Sequence, residues 1–591
     1  MPTCKPAYMA KLNSISIEGF RSIRDEVTIR FPNNKPVVLI GENNCGKSNV
    51  IRALDILFGE YHPKYKDVEH FDHHGRDSKT PIVISGSVSN FSGVLGRPPQ
   101  RINAFKFKCI KGSEIEYVAL LEDGTPHGYI SNDVRGELTS IIVNSEHNLS
   151  YQLSYTSKHT LLSKVMKVLH KSLISDEQRV AALKKLYVEI QNTFDEVPEF
   201  KQFKGSMSTI SGEILANMSY MLQMDFSAYD PSNYFKSLRV NPIEGTDARS
   251  FEELGTGQQQ LLALAFAHAY CKSFINGDIV LILDEPESHL HPLAQKWLSK
   301  MIIKMAADGL QIVITTHSAN FIDLFNIDSL FLLRKNGQAT TVINHSAESL
   351  YKHCIATGAN ADKTKVETVV PFYANHSTTH ILNGFFAKKV VLVEGLTEEL
   401  ALPIYLERRG LDVTREGIEI IGVHGKGNLA KWWRLFTLYG IPTFVCFDND
   451  EKHDKQGIQR TDSLKAIGIT DDELAAIIGT KDWAISDGYC VFGVDFETTM
   501  KKSFDDYNAV EVSQKELLGT ASKHIVAREV ARYLKMDEEK GWTNIDIIKT
   551  KLLSLEPFKP AVTAAASATT APIKSTATSD MLEQLKAKFG I

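Results

Sequence analysis

Residues 37 to 58 constrain the fold more than any other stretch. The apolar run Val37-Val38-Leu39-Ile40 passes straight into Gly41-Glu42-Asn43-Asn44-Cys45-Gly46-Lys47-Ser48, after which Val50, Ile51, Leu54, Leu57 and Phe58 recur at helical spacing. This predicts a strand, a glycine-rich turn and a helix in immediate succession, an arrangement in which backbone N–H groups and a helix N-terminus can wrap a phosphate. There the two glycines let the backbone fold round a β-phosphate, Lys47 neutralises the β- and γ-phosphates, and Ser48 ligates Mg²⁺. Gly41, Asn43, Asn44, Gly46, Lys47, Ser48 and Asn49 are the expected nucleotide-binding positions, although Asn49 also suits a solvent-facing place on the helix.

A second apolar run, Val280-Leu281-Ile282-Leu283, stops on Asp284-Glu285. It suits a Walker B strand buried on both faces of a parallel sheet, whose C-terminal end is where open α/β sheets hold ligands. Asp284 would hold Mg²⁺, directly or through water, and Glu285 would polarise the water attacking a γ-phosphate. Alone, the same run also reads as a core strand entering an acidic turn. Before it, Glu253-Leu254-Gly255-Thr256-Gly257-Gln258-Gln259-Gln260 opens a helix, and after it Ile312-Val313-Ile314-Thr315-Thr316 is a strand ending on His317. This order of elements resembles ABC-type ATPases. The resemblance implies that Thr256 and Gly257 form a signature motif, with Thr256 where serine is usual, presented to nucleotide on another subunit. It also implies that His317 is a switch histidine at the γ-phosphate, that ATP and Mg²⁺ are bound, and that the chain is a homo-oligomer.

Around these motifs, alternating residues predict strands through Ile15–Ile17 and Val27–Phe31, and an antiparallel subsheet over 83–121. Apolar stripes over 156–192 predict a helical hairpin, either an ordinary packed pair or a subunit contact. Phe20-Arg21, and the Glu-x-x-x-His spacing from Glu287 to His291, narrow the resemblance to the OLD (overcoming lysogenization defect) type. His289 and His291, at spacing two on a helix, point to different faces, which argues against a zinc pair.

The later half predicts a second parallel sheet. Val390-Val391-Leu392-Val393 ends on Glu394-Gly395, with Glu398 in the following helical turn; Ile418–Val423 leads to His424-Gly425-Lys426; Thr443–Phe447 ends on Asp448-Asn449-Asp450. Carboxylates gathered at one sheet edge are what hard divalent cations need. A strand ending in Glu-Gly and another in Asp-x-Asp resemble the Toprim domain of topoisomerases, primases and OLD nucleases. In OLD nucleases a later Asp-x-Glu and a lysine complete the site, which here implies Asp495, Glu497 and Lys523. In this chain His524 stands where that family has proline after the lysine, and a helix-surface lysine is the ordinary alternative for Lys523. The implied metal ligands are Glu394, Glu398, Asp448, Asp450, Asp495 and Glu497, with Glu394 and Lys523 also in the chemistry and Lys426 offsetting phosphate charge.

The expected fold class is α/β: an N-terminal ABC-type P-loop ATPase with a helical insertion, followed by a C-terminal Toprim domain with a parallel sheet. The expected organisation is ATPase 1–155, helical insertion 156–225, ATPase 226–375, Toprim 387–558 and a low-complexity tail 559–591, with the loop at 356–362 near a boundary. A net charge of −5 at pH 7 gives no general attraction to nucleic acid, so DNA contact must come from local basic patches. Seven scattered cysteines without a Cys-x-x-Cys pair argue for reduced thiols and against a zinc ribbon. No signal core or bilayer-length run is present, so a cytoplasmic protein with no membrane partner is expected. Together these readings imply an ATP-regulated DNA nuclease using Mg²⁺ or Mn²⁺, in anti-phage defence, with a second defence-system component left open. The alternative is an ATP-switched DNA-binding clamp whose Toprim unit does not cut. Primase and topoisomerase readings are disfavoured, since there is neither a cysteine-rich element nor an evident strand-passage domain with a nucleophilic tyrosine.

Overall fold

A computed structural model describes residues 10–59, 61–110, 115–143, 160–214, 243–244, 247–248, 253–273, 279–288, 290–450, 454–520, 522–536 and 540–558. Its centre is a six-stranded sheet ordered 339–344, 330–336, 37–40, 311–316, 279–284, 139–143, parallel throughout except for the edge strand 339–344. Both faces are buried. In Val37–Ile40 the alternate residues Val38 and Ile40 pack on one side and Val37 and Leu39 on the other; in Ile279–Asp284, Leu281 and Leu283 oppose Val280 and Ile282. Short, wholly apolar runs are what a doubly covered parallel sheet requires.

On one side the helix Lys47–Phe58 lies between this sheet and an antiparallel sheet built on Lys11–Glu18, Val27–Arg30, Ile82–Ser89, Gln100–Cys109 and Glu116–Leu121. The opposite face shares a continuous apolar core with the connector residues 345–386 and with a third sheet, ordered 418–422, 389–393, 443–448, 489–492, 484–485 and parallel except for the last strand. Val390 and Leu392 face that shared core, whereas Val391 and Val393 face a separate C-terminal one with Tyr405, Phe496 and Trp542.

Two expectations change. The helical stretch continues past a hairpin: Leu161–Ile174, Glu177–Asp195 and Pro198–Ile214 are three helices, the last spaced by Phe200, Phe203, Met207 and Ile210 beyond the stripes used to delimit the pair. The remaining parts of that expected segment, 156–159 and 215–225, lie outside the described residues, as does the tail 559–591. The loop at 356–362 lies against a helix of the third sheet. Arg434, on the helix Lys426–Leu438 of the third sheet, donates to the Thr357 carbonyl at 3.0 Å and hydroxyl at 3.2 Å, so the loop is docked. Finally, His291 caps the helix Pro292–Ala307 rather than riding on it, its ring nitrogen accepting the Leu293 N–H at 3.3 Å; His289 lies outside the described residues.

Candidate functional sites at two sheet edges

The strands ending at Ile40, Thr316 and Asp284 are consecutive neighbours in the central sheet. Their parallel pairing brings the P-loop, His317 and the Asp284-Glu285 pair to one edge from far apart in sequence. Gly41 and Gly46 have φ of 143° and 107°, and a Cβ would stand 2.2 Å from the Leu333 carbonyl oxygen and 2.6 Å from the Thr340 hydroxyl respectively. Only glycine fits either position. Asn43, Asn44 and Ser48 are exposed, while Lys47 is buried and donates to the carbonyls of Gly41 and Glu42, both at 3.0 Å. Burial pushes the Lys47 ammonium below its ordinary pKa, against the pull of Cys45, Glu285, Glu287 and Asp284. A phosphate entering the loop replaces two carbonyl acceptors with a formal anion. This glycine cradle, with Ser48 and Asp284 at its mouth, suits a magnesium nucleotide.

Asn49 is half-buried and hydrogen-bonded within the fold. Its amide donates to Ser22 Oγ at 2.7 Å, Ser22 contacts Thr340 at 2.7 Å, and Thr340 donates to the Cys45 carbonyl at 2.8 Å. The chain of bonds ties the P-loop to the Phe20-Arg21-Ser22 turn, where Arg21 is held by Asp72 at 2.7 Å.

Thr315, unremarked in the sequence beyond its place in a strand, organises the acidic pair. Its hydroxyl donates to Asp284 Oδ1 at 2.5 Å and accepts the Glu285 N–H at 3.1 Å, while Glu285 adopts a left-handed φ of 49° that turns it out of the strand. Glu285 Oε1 lies 3.5 Å from His317 Nε2. Burial, reinforced by Lys47, lowers the His317 pKa against the opposing effect of Glu285 and Asp284, favouring a neutral ring. Glu287 accepts the His317 N–H at 2.6 Å and so fixes the loop carrying the histidine; burial raises its own pKa. Thr256 and Gly257 begin the helix Thr256–Ser273, with Thr256 exposed and Gly257 buried.

The second site repeats this logic on the third sheet. Strands 389–393, 443–448 and 489–492 are neighbours, and their C-terminal ends deliver Glu394, Asp448 and then Asp495 with Glu497. Asp448 is raised well above the ordinary carboxylate pKa by burial and by the field of Glu398, Glu394, Glu497 and Asp495. Glu398, in the first turn of Leu396–Arg408, is pushed up to about 7 by burial, with Glu394 and Glu497 adding to the effect. Burial also raises Glu394, partly offset by Lys426.

Lys426 lies 2.8 Å from Asp450 Oδ1 and 3.6 Å from Glu394 Oε2, holding Asp450 to one side of the cluster. Asp495 caps the helix Phe496–Ser503 by accepting the Thr498 N–H at 2.7 Å. Lys523 lies 2.7 Å from Glu497 Oε2. Burial opposes the Lys523 charge, but Glu497, then Asp495 and Asp448, carry its pKa above the ordinary value.

Buried oxygens of Glu394, Asp448 and Glu497 remain without a hydrogen bond: Oε2, Oδ1 and Oε1 respectively. Glu394 Oε2 faces Lys426 at 3.6 Å, whereas Asp448 Oδ1 and Glu497 Oε1 are orphaned, which is costly unless something cationic meets them. Among the described residues no group of three or more Asp, Glu, His or Cys side chains is closed tightly enough to hold a metal ion as it stands. An all-oxygen donor set of this kind fits hard divalent ions.

Asn449, the middle residue of Asp-x-Asp, is the anchor that sequence reading missed. It is buried, donates to the carbonyls of Ile478 and Thr480 at 2.9 Å each, and accepts from Arg460, which is itself paired with buried Asp454. The turn bearing Asp448 and Asp450 is therefore bolted to its surroundings.

Two family models match, in the positions these sites occupy. Residues 37–323 match the AAA domain family AAA_21, whose description includes the AbiEii toxin of a type IV TA system, and residues 385–450 match the Toprim domain of overcoming lysogenization defect protein-like sequences. The chain joins an ATPase domain to an OLD-like Toprim domain. Similar curated proteins share both halves. An OLD nuclease of Thermus scotoductus is 23% identical over 74% of this chain and 82% of its own length. The Old nuclease of Escherichia phage P2 is 22% identical over 74% and 77% respectively, and the endonuclease GajA of Bacillus cereus is 20% identical over 93% and 87%. The OLD-like Toprim match spans Glu394, Glu398, Lys426, Asp448 and Asp450, but Asp495, Glu497 and Lys523 lie beyond it. The Lys523–Glu497 ion pair and the field of Glu497 and Asp495 at Asp448 join these three residues to the others. The two domain types use nucleotide and divalent metal. No described helix is long and apolar enough to cross a membrane.

Proposed function

We propose that the protein is an ATP-regulated, divalent-metal-dependent DNA nuclease acting in anti-phage defence, with hydrolysis of phosphodiesters at the Toprim edge and nucleotide chemistry at the other. The observation that carries this reading is the pairing of buried, unsatisfied carboxylate oxygens on Glu394, Asp448 and Glu497 with two flanking cations, Lys426 and Lys523. An acidic cluster alone repels a phosphodiester; lysines at its rim give the substrate's charge a place to dock. Divalent cations such as Mg²⁺ or Mn²⁺ bound there supply an activated water and charge compensation at the leaving oxygen. Glu394, Glu398, Asp448, Asp495 and Glu497 would hold them, Asp450 would position Lys426, and Lys426 and Lys523 would orient the phosphate. At the nucleotide site Glu285 orients the attacking water and neutral His317 donates toward the γ-phosphate, with Lys47 and Ser48 holding the phosphates and Mg²⁺.

Nicking of supercoiled plasmid in Mn²⁺ tests the assignment. Glu394→Ala and Asp448→Ala should each lose at least about 10²-fold in rate, whereas Lys47→Ala should retain bond cleavage and lose its response to ATP. Parental nicking by both Toprim variants at saturating Mn²⁺ would remove the site. The exposed Thr256 hydroxyl at the head of its helix supports a nucleotide contact shared between copies of the chain, and hence a homo-oligomer. Light scattering decides this point: a monomer at micromolar concentration with full ATPase turnover excludes a shared site.

A further inference from the structure

A pocket of about 820 Å³ opens beside the Toprim carboxylates, with Gly427, the residue after Lys426, in its wall. That volume is in the range of sites that take one small molecule or one unit of a longer ligand. Three helices and a loop build it. Gly427, Lys431 and Arg434 share one face of Lys426–Leu438; Ile458, Asp462 and Lys465 share one face of Ile458–Ile467; Thr368 and Phe372 come from Val366–His376, and the loop 358–364 supplies Lys363. The first two helices follow the strands that carry His424 and the Asp-x-Asp turn, so pocket and acidic cluster are two sides of one construction.

The lining is basic in a chain of net charge −5: Lys363, Lys431, Arg434 and Lys465 against a single lining carboxylate, Asp462. Arg434 already holds Asp462 at 2.6 Å, and Lys465 shares its charge with Asp471 at 2.8 Å. Lys363 and Lys431 are the cations left to meet an outside anion. The Lys431 ammonium stands over the Phe372 ring, 4.3 Å from its centroid, and the His376 ring stacks on Phe372 at 4.3 Å, so the aromatic ring holds the lysine in place. Burial holds Lys431 below its ordinary pKa, with Asp462 opposing and Arg434 reinforcing, and an anion would reverse that cost. A cation fixed over an aromatic ring in this way is placed to meet a phosphate with little loss of side-chain freedom.

We propose that this pocket holds a nucleotide of the DNA strand adjacent to the phosphate addressed by Glu394, Asp448 and Lys426, with its phosphate on Lys363 and Lys431. The proposal rests on the nuclease reading. Lys426, at the acidic edge, and Gly427, in the pocket wall, are consecutive residues, so the pocket begins within one nucleotide's length of the carboxylates. This favours a chain running from the acidic edge into the pocket over an isolated nucleotide.

The test is anisotropy of a labelled single-stranded oligonucleotide with the full-length protein, with Ca²⁺ in place of Mn²⁺ to slow cleavage and thermal unfolding followed in parallel. Lys363→Glu and Lys431→Glu should each weaken binding about tenfold, the scale of one charge-assisted contact. Each should also make the salt dependence shallower by about one ion. Phe372→Leu should weaken binding without changing the salt slope. Affinities and slopes within twofold of the parent in all three folded variants overturn the proposal. Thymidine 5′-monophosphate that competes at micromolar concentration, with the competition lost in Lys363→Glu, gives the pocket to a free nucleotide and overturns the strand assignment. Pocket-dependent binding by a parent that never nicks plasmid in Mn²⁺ removes the nuclease reading and keeps a strand-binding pocket. Normal nicking together with unaltered binding in the variants removes the pocket alone.

Discussion

Glu398 shows how burial converts a carboxylate into a pH-dependent liability. Its pKa is pushed up to about 7, so without metal the folded protein binds a proton in a pH range where the unfolded chain has released it. Stability from this group is therefore fully present below the unfolded value near 4.5 and declines as pH rises through about 7. In EDTA, Glu398→Gln should raise the thermal midpoint relative to the parent at pH 8 and lose most of that advantage by pH 5. Melting curves at the two pH values check it; an equal difference at both would mean that the Glu398 carboxyl does not titrate in this window. Thr315 makes a complementary point at the nucleotide edge. One hydroxyl bonds both the Asp284 carboxylate and the Glu285 amide, so the two acidic roles read from adjacent letters depend on a third residue whose letter carries no sign of it.

At the scale of elements, helix starts do double duty. Asp495 is both the N-cap of Phe496–Ser503 and one of the carboxylates surrounding Asp448. Asparagine keeps a cap and removes the charge, whereas alanine removes both. Asp495→Asn should therefore retain parental stability but require more Mn²⁺ for nicking, and Asp495→Ala should lose in addition about 1 kcal/mol of stability. Denaturant titration paired with Mn²⁺ titration separates the two roles; indistinguishable Mn²⁺ requirements for Asp495→Asn and the parent would exclude Asp495 from the metal site. The strand ends at 394 and 448 were legible because parallel strands read as solid apolar runs that stop on acid, whereas Asp495, three residues beyond the strand Tyr489–Phe492, came from the family resemblance. The three-helix segment after residue 160 was less legible, since its later turns are mostly exposed and a surface helix leaves a thin apolar stripe.

Across the whole molecule, the two chemical edges share one core. The His317 ring lies 6.4 Å from the ring of Phe386, centre to centre, and Phe386 precedes the strand Lys389–Val393 that ends at Glu394. Arg334, at the ATPase sheet, donates to the Ala387 carbonyl at 2.8 Å in the same connector. A change at His317 on nucleotide binding thus has a packed route toward the strand that ends at Glu394, and it can act only through a difference in ATP affinity between two arrangements. Glu285→Gln should bind ATP, hydrolyse it slowly and prolong the ATP-favoured nicking rate, whichever sign that has. Adding Phe386→Ala should bring the rates with ATP, with ADP and without nucleotide together. Nicking assays on the single and double variants test it, and an undiminished nucleotide response in the double variant would rule out this route.

By itself the sequence determined the local chemistry: a glycine cradle ending in Lys47-Ser48, an apolar strand ending on Asp284-Glu285, and strands ending on Glu394 and Asp448. Each is a contiguous pattern whose physics is settled within a few residues, because a buried strand must be apolar and a tight phosphate turn must be glycine. Tertiary structure alone decided what those ends face. Asn49 turned to Ser22, Asn449 became a buried anchor, Thr315 joined two acids, and Lys523 found Glu497. These contacts depend on which strands lie side by side and on which groups burial leaves unsatisfied, and both follow from packing elements hundreds of residues apart.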